Sequence, residues 1–310
     1  MDEIDPSIVF LGKRLRAPIL INAMTGGHPD VKWINRALAQ AAARTGIAMA
    51  VGSQRAGLEN PSVRDTYQIV REINPDGLIL SNVSADTPLE QVLQAVDMIQ
   101  ADGIQLHLNV AQELAMAEGD RDFRGILNNI ARVVQVSPVP VIVKEVGGGI
   151  ARETARSLFE SGVRIIDTGG FGGTNFVQIE DRRAGRNPQI DDDFSAITTA
   201  VSLLEVLSLE NPLTVVASGG ITNGRQIAQA VSIGAGLVGL AGHLLWVLLK
   251  QSPQALEDRL DEIVFELKRH MLMAAARTPS DLTHTPVVIT GPTAEWTLRR
   301  GIDIDKYARR

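Results

Sequence analysis

The sequence predicts an α/β fold, a TIM (β/α)8 barrel, from three observations: eight short β-branched runs, helical-period segments between them, and polar and glycine residues gathered after the runs. The runs cover 18–22, 47–51, 78–82, 104–108, 140–144, 165–168, 214–217 and 237–240. Between them, 33–45 and 151–161 have helical spacing and stop at Gly46 and Gly162, where glycine takes a left-handed cap cheaply. The loops entering the runs are short, whereas those leaving them carry Gly, His, Asn, Gln, Lys and Glu. In a parallel barrel these leaving loops converge on one face.

Bulk properties narrow the class. Of 310 residues, 45% are hydrophobic and 21% charged, enough for a full core, and no linker or charge block divides the chain, so 1–310 reads as one domain. A formal net charge of -6 argues against nucleic-acid binding, which needs a basic face. With no cysteine, disulfides, thiolate metal sites and thiol nucleophiles are excluded. The first residues, with Asp2, Glu3, Asp5, Lys13, Arg14 and Arg16, hold no signal-peptide core, and a cytoplasmic protein is expected. The weakly charged stretch 231–249 is broken by Gly234, Gly236, Gly239, Gly242 and His243, so it reads as core rather than a membrane span.

The leaving loops suggest chemistry. Gly219-Gly220 and Gly242 follow the last two runs, where barrels place a phosphate between backbone N–H groups and a helix N-terminus, and Gly172-Gly173-Thr174 adds to the same region. The string Gly234, Gly236, Gly239 has dinucleotide spacing but runs into a strand instead of opening a helix, so no Rossmann site follows. Lys144 ends a Val-rich run at the barrel mouth, as a cation facing a ligand or as one half of an ion pair with Glu145 or Asp167. Asn82 and Asp167 end other runs. His107, Asn109, Gln112 and Glu113 form the densest polar cluster, with His107 and Asn109 on one side by alternation. Glu113 could serve Mg2+ together with waters and substrate phosphate oxygens, or be a plain surface carboxylate. Residues 180–186 read as a solvated loop able to act as a lid, Asp191-Asp192-Asp193 as an acidic helix start, and His270 with Met271 to Met273 as part of a C-terminal helix. No Ser-His-Asp arrangement can be placed.

Taken together, Met24-Thr25-Gly26-Gly27, Gly52-Ser53-Gln54, His107-Leu108-Asn109 with Gln112-Glu113, Val143 to Gly147, Gly172 to Phe176, Ser218-Gly219-Gly220 and Ala241-Gly242-His243 resemble the FMN-dependent type 2 isopentenyl diphosphate isomerases, from about Phe10 to the C-terminus. The resemblance implies reversible conversion of isopentenyl diphosphate to dimethylallyl diphosphate with reduced FMN and Mg2+, NADPH serving as reductant. It implies FMN contacts from Ala23, Met24, Thr25, Ser53, Asn82, Lys144, Thr174, Gly219, Gly220, Ala241 and Gly242. Substrate contacts would come from Ser53, Gln54, Arg55, His107, Asn109 and Gln112, with Gln112 beside the reacting carbons and Glu113 on Mg2+. Because the mouth offers no evident carboxylate pair, the flavin itself would be the acid–base group. Family members usually begin with a further segment whose Arg-Lys pair and His grip the diphosphate; Lys13, Arg14 and Arg16 do not match it. A shortened start, or an FMN-binding protein with impaired turnover, is therefore an alternative. So is an FMN-dependent oxidoreductase of the α-hydroxy acid oxidase kind, although no His-x-x-Gly-x-Arg signature is present. A homo-oligomer, tetramer or octamer, is expected.

Overall fold

In the computed structural model, which describes residues 1, 3–186 and 196–310, eight strands close a parallel barrel. An antiparallel pair, β1 (Ile8–Phe10) and β2 (Lys13–Leu15), comes first. The barrel strands are β3 (Ile19–Ile21), β4 (Ala48–Ala50), β5 (Ile79–Ser84), β6 (Gly103–Leu108), β7 (Val141–Glu145), β8 (Ile165–Asp167), β9 (Thr214–Ser218) and β10 (Leu237–Leu240). They pair in sequence order, and β10 closes on β3. Each falls on one of the eight expected runs.

Alternation along the strands explains the packing. Ile19, Ile21, Met49, Ile79, Ile104, Val143, Ile166 and Val238 belong to the large cluster that includes buried residues of the surrounding helices. Their neighbours point inward. At the N-terminal end of the barrel Leu20, Ala48, Ala50, Leu78, Leu80, Ile142, Ile165, Val216 and Leu237 form a second cluster, which Phe10 and Leu15 complete. The β1–β2 hairpin thus covers that end with apolar side chains, an element the sequence reading did not anticipate. One step further along the same inward faces the residues become Asn22, Asn82, Lys144, Asp167 and Ser218, all buried. The interior changes from oil to hydrogen bonds halfway along the barrel, and the change marks the functional end.

The glycine stops hold. The helix Lys32–Thr45 ends at Gly46 with φ 70°, its N–H on the Ala42 carbonyl, and Gly162 has φ 94° just beyond the helix Arg152–Glu160. The stretch 231–249 divides into helix end, β10 and the helix Gly242–Lys250, and among the described residues no helix is long and apolar enough to cross a membrane. His270 and the following methionines end the helix Pro253–Met273, with Met271 buried and Met273 exposed. One expectation needs correction: most of 180–186 is not loop, since Phe176–Arg183 is a helix whose N-cap Asn175 side chain accepts the Gln178 N–H. Asp191 to Asp193 lie outside the described residues.

Candidate active site

The loops after β8, β9 and β10 meet with no room for side chains. A Cβ on Gly219 would lie 2.0 Å from the Gly170 carbonyl oxygen, one on Gly220 2.2 Å from that of Gly172, and one on Gly173 2.8 Å from the Gly220 nitrogen. Gly219 and Gly220 also have φ of 119° and 72°, the region glycine alone occupies freely. Gly242 opens a nine-residue helix, so its N–H has no intrahelical acceptor, and Thr174 Oγ1 lies 3.4 Å from where its Cβ would be. Bare backbone, a hydroxyl and a helix start converge as a phosphate ester requires.

Lys144 supplies the charge. It is 7% exposed, and the hydrogen bond found for its Nζ is to the Glu145 carbonyl at 2.7 Å. Neither ion pair considered from the sequence forms: Asp167 accepts instead from Asn22 Nδ2 at 2.7 Å and from the Ser218 hydroxyl. One Glu145 carboxylate oxygen takes the N–H groups of Val146, Gly147 and Gly148 at 2.7, 2.9 and 2.5 Å. Burial raises the Glu145 pKa, against those three donors and Lys144. An ammonium with three donors, nearly buried and short of acceptors among the described residues, is costly unless an electron-rich ligand meets it. With the glycine cradle, this fits a flavin: bare backbone for its phosphate and a cation for the electron-rich edge of its ring.

His107, at the end of β6, places Nδ1 2.9 Å from Asn82 Oδ1. Burial, aided by the Lys144 ammonium and opposed by Asp86 and the Val83 carbonyl, pushes the imidazole down to about 4. The folded chain therefore refuses a proton that the unfolded chain accepts below its ordinary 6.5, so this contribution to stability is whole above pH 6.5 and is lost as the pH falls toward 4. Urea midpoints of wild type and His107→Gln should accordingly draw together with acidification across that window; a constant difference would refute a neutral His107.

Directly after β6, the helix Val110–Ala115 carries Gln112 and Glu113. Glu113 accepts from Asn109 Nδ2 at 2.7 Å and from the Asp120 N–H at 3.0 Å. No group of three or more His, Cys, Asp or Glu able to hold a metal exists among the described residues, so an ion here would need substrate oxygens and water besides Glu113. Gln112 Nε2 donates to Glu180 Oε1 at 3.2 Å. Glu180, which the sequence reading left in a solvated loop, is 8% exposed and also pairs with Arg183 at 3.1 Å. The mouth thus holds a carboxylate that sequence reasoning missed, because 68 residues separate it from Gln112.

The remaining residues divide. Thr25 gives its hydroxyl to Asn35 Oδ1 at 2.7 Å and its carbonyl to the Gly52 N–H at 2.8 Å, holding the first loop on the second; Ala23 and Met24 precede it on that loop. Ser53 is exposed, as is Arg55, which pairs with Glu59 at 2.9 Å. Gln54 is a correction. Expected at the substrate, it is fully buried toward the helix layer, where Nε2 donates to the Ala95 carbonyl at 2.9 Å and Oε1 accepts from Ser81 Oγ at 2.5 Å and the Asn82 N–H at 3.1 Å. Its amide is spent on scaffold.

Comparison with known proteins decides the lineage. Residues 60–289 match the FMN-dependent dehydrogenase family. The chain is 51% identical to the isopentenyl-diphosphate delta-isomerase of Moorella thermoacetica over 95% of its own length and 85% of that protein's. It is 47% identical to the isomerase of the same name from Symbiobacterium thermophilum, over 99% and 85%. The chain belongs to the isopentenyl-diphosphate delta-isomerase family. Solved structures similar to this family member include a mandelate oxidase, with TM-score 0.68 and 16% identity over 93% of this chain and 83% of that one. A Pediococcus acidilactici protein described as a putative lactate oxidase gives TM-score 0.70 and 15% identity over 93% and 80%. At such identities these two speak for the barrel alone.

Proposed function

We propose that this chain interconverts isopentenyl diphosphate and dimethylallyl diphosphate, with reduced FMN in the barrel mouth and Mg2+ shared between Glu113 and the diphosphate. One observation carries the reading: a glycine cradle, a nearly buried Lys144 and the Gln112–Glu180 pair all stand at or just beyond the C-terminal ends of the barrel strands. Moving a double bond along an allyl unit requires a proton added at one carbon and removed from another. Glu180 can hold or take one proton, and Gln112, which does not titrate, orients it. The reduced flavin, when bound, supplies the further proton donor and acceptor at its ring nitrogen. Lys144 then stabilises negative charge on the ring edge, the cradle fixes the phosphate, and Asn109 holds Glu113 in one orientation. NADPH enters only to reduce the flavin.

The test is anaerobic incubation of the purified chain with isopentenyl diphosphate, FMN, Mg2+ and NADPH, followed by NMR. Dimethylallyl diphosphate formed only with reduced flavin is the expected result; flavin binding without product refutes it. In the same assay Gln112→Ala should lower kcat by about 10² to 10⁴, the range of a positioned proton-transfer apparatus, with flavin affinity unchanged. The same reading includes a cytoplasmic setting and a symmetric homo-oligomer of four or eight chains, for which the exposed Trp246, Leu249 and Phe265 offer apolar surface and light scattering the check.

A further inference from the structure

Inside the barrel, directly beneath the mouth, five side chains form one continuous line of hydrogen bonds. Asn22 Nδ2 donates to Asp167 Oδ2 at 2.7 Å, Gln105 Nε2 to Asn22 Oδ1 at 2.8 Å, and Asn82 Nδ2 to Gln105 Oε1 at 2.9 Å; Asn82 Oδ1 then faces His107 Nδ1 at 2.9 Å. Asn22, Asn82, Gln105 and Asp167 are each 5% exposed or less. Side-chain amides and imidazoles can usually be turned over without visible cost, so such a line could in principle run either way.

Here one end is fixed. The backbone N–H of Ala23 donates to Asn22 Oδ1 at 2.9 Å, and a backbone N–H can only donate. That holds the Asn22 oxygen where it is and turns its NH2 to Asp167, which offers two carboxylate oxygens to the Asn22 amide, the Ser218 hydroxyl and the Gly169 N–H. Gln105 must then present NH2 to Asn22 and oxygen to Asn82. Asn82 must present NH2 to Gln105 and oxygen to His107. The last member has no choice left: its Nδ1 must carry the proton.

We infer that Asn22 and Gln105 are positioning residues which, through Asn82, lock His107 in the Nδ1–H tautomer, so that the barrel mouth receives an imidazole acceptor at Nε2. The consequence concerns the ligand and rests on the proposed reading of the mouth. An Nε2 lone pair repels a deprotonated diphosphate oxygen and accepts from O–H or N–H. His107 therefore meets a donor, such as a ligand hydroxyl, a ring N–H or a water, and does not grip the diphosphate as a cation. Burial of the ring, which resists protonation, is consistent with that assignment.

Long-range proton–nitrogen NMR on histidine-labelled holoprotein tests this, with His107→Gln assigning the ring against His28, His243, His270 and His284. The expected result is a protonated Nδ1 and an unprotonated Nε2 at neutral pH, unchanged when inorganic pyrophosphate and Mg2+ are added. In Gln105→Met, which keeps volume but cuts the line, Asn82 is free to turn, and the Nε2 resonance should move part-way toward a protonated nitrogen while the other histidines stay in place. A protonated Nε2 in the wild type, or its protonation on pyrophosphate binding, overturns the inference; so does Gln105→Met leaving the tautomer unaltered. The wild-type measurement decides the tautomer even if the variant fails to fold. Neither measurement involves turnover, so a chain that fails to isomerise leaves the tautomer standing, and a wrong tautomer leaves the isomerase reading standing.

Discussion

Replacing Gly220 by alanine should abolish tight flavin binding. Its φ of 72° and the 2.2 Å approach of the Gly172 carbonyl to the added Cβ act together. Left-handed backbone costs a non-glycine residue about 1–3 kcal/mol, and forced overlap in a packed site about as much again. Backbone cannot give way as a flexible side chain does, so the loops after β8 and β9 must part. At about 1.4 kcal/mol per decade, affinity for FMN should fall by a hundredfold or more, as read by quenching of flavin fluorescence. Gly12→Ala is the control: Gly12 has φ 77° with no atom within 4 Å of the new Cβ, at the other end of the barrel. It should lose about 1 kcal/mol of stability and no flavin affinity. Equal flavin loss in both variants, or in neither, would mean that the cradle does not hold the phosphate.

The second large effect lies away from the mouth. Glu205, fully buried in the helix Thr199–Leu207, receives Arg300 Nε at 2.8 Å, Trp296 Nε1 at 2.9 Å and the Arg152 N–H at 3.1 Å, and Arg300 also reaches Glu153 at 2.6 Å. Burial works to raise the Glu205 pKa, but Arg300, Trp296 and the Arg152 N–H win and hold it below the ordinary carboxylate range. Arg300→Met would leave a buried carboxylate without its cation. Broken buried pairs cost about 3–5 kcal/mol; because the Arg300 side chain is 32% exposed, the lower figure is expected, about 3 kcal/mol in urea unfolding. The helix Gly291–Arg299 should become open to protease, while flavin affinity below the unfolding transition stays that of the wild type. A loss under about 1 kcal/mol would show the pair to be screened like a surface ion pair.

What could be read from the sequence follows the range of the forces involved. The eight strands and the glycine stops are local patterns, a β-branched run or a helical period with a left-handed cap, and they emerged intact. The hairpin of β1 and β2 escaped because Lys13–Leu15 is no β-branched run, leaving Gly12 as the main turn signal. Gln54 was misplaced because residue type gives polarity but not direction: a fixed backbone turn sends its amide to the helix layer. Glu180 escaped because its contact with Gln112 is purely tertiary. Gln105 could have been found, since it lies two residues before His107 in the same strand and alternation puts both on one face, but a polar residue inside an apolar run was passed over.

The Phe10–Leu15 hairpin has a consequence for isotope exchange. With one end of the barrel sealed by hydrocarbon, solvent hydrogen can reach a bound ligand only through the loop face. Deuterium incorporation into substrate and product should therefore respond to substitutions on the loop face and be indifferent to Gly12→Ala at the sealed end.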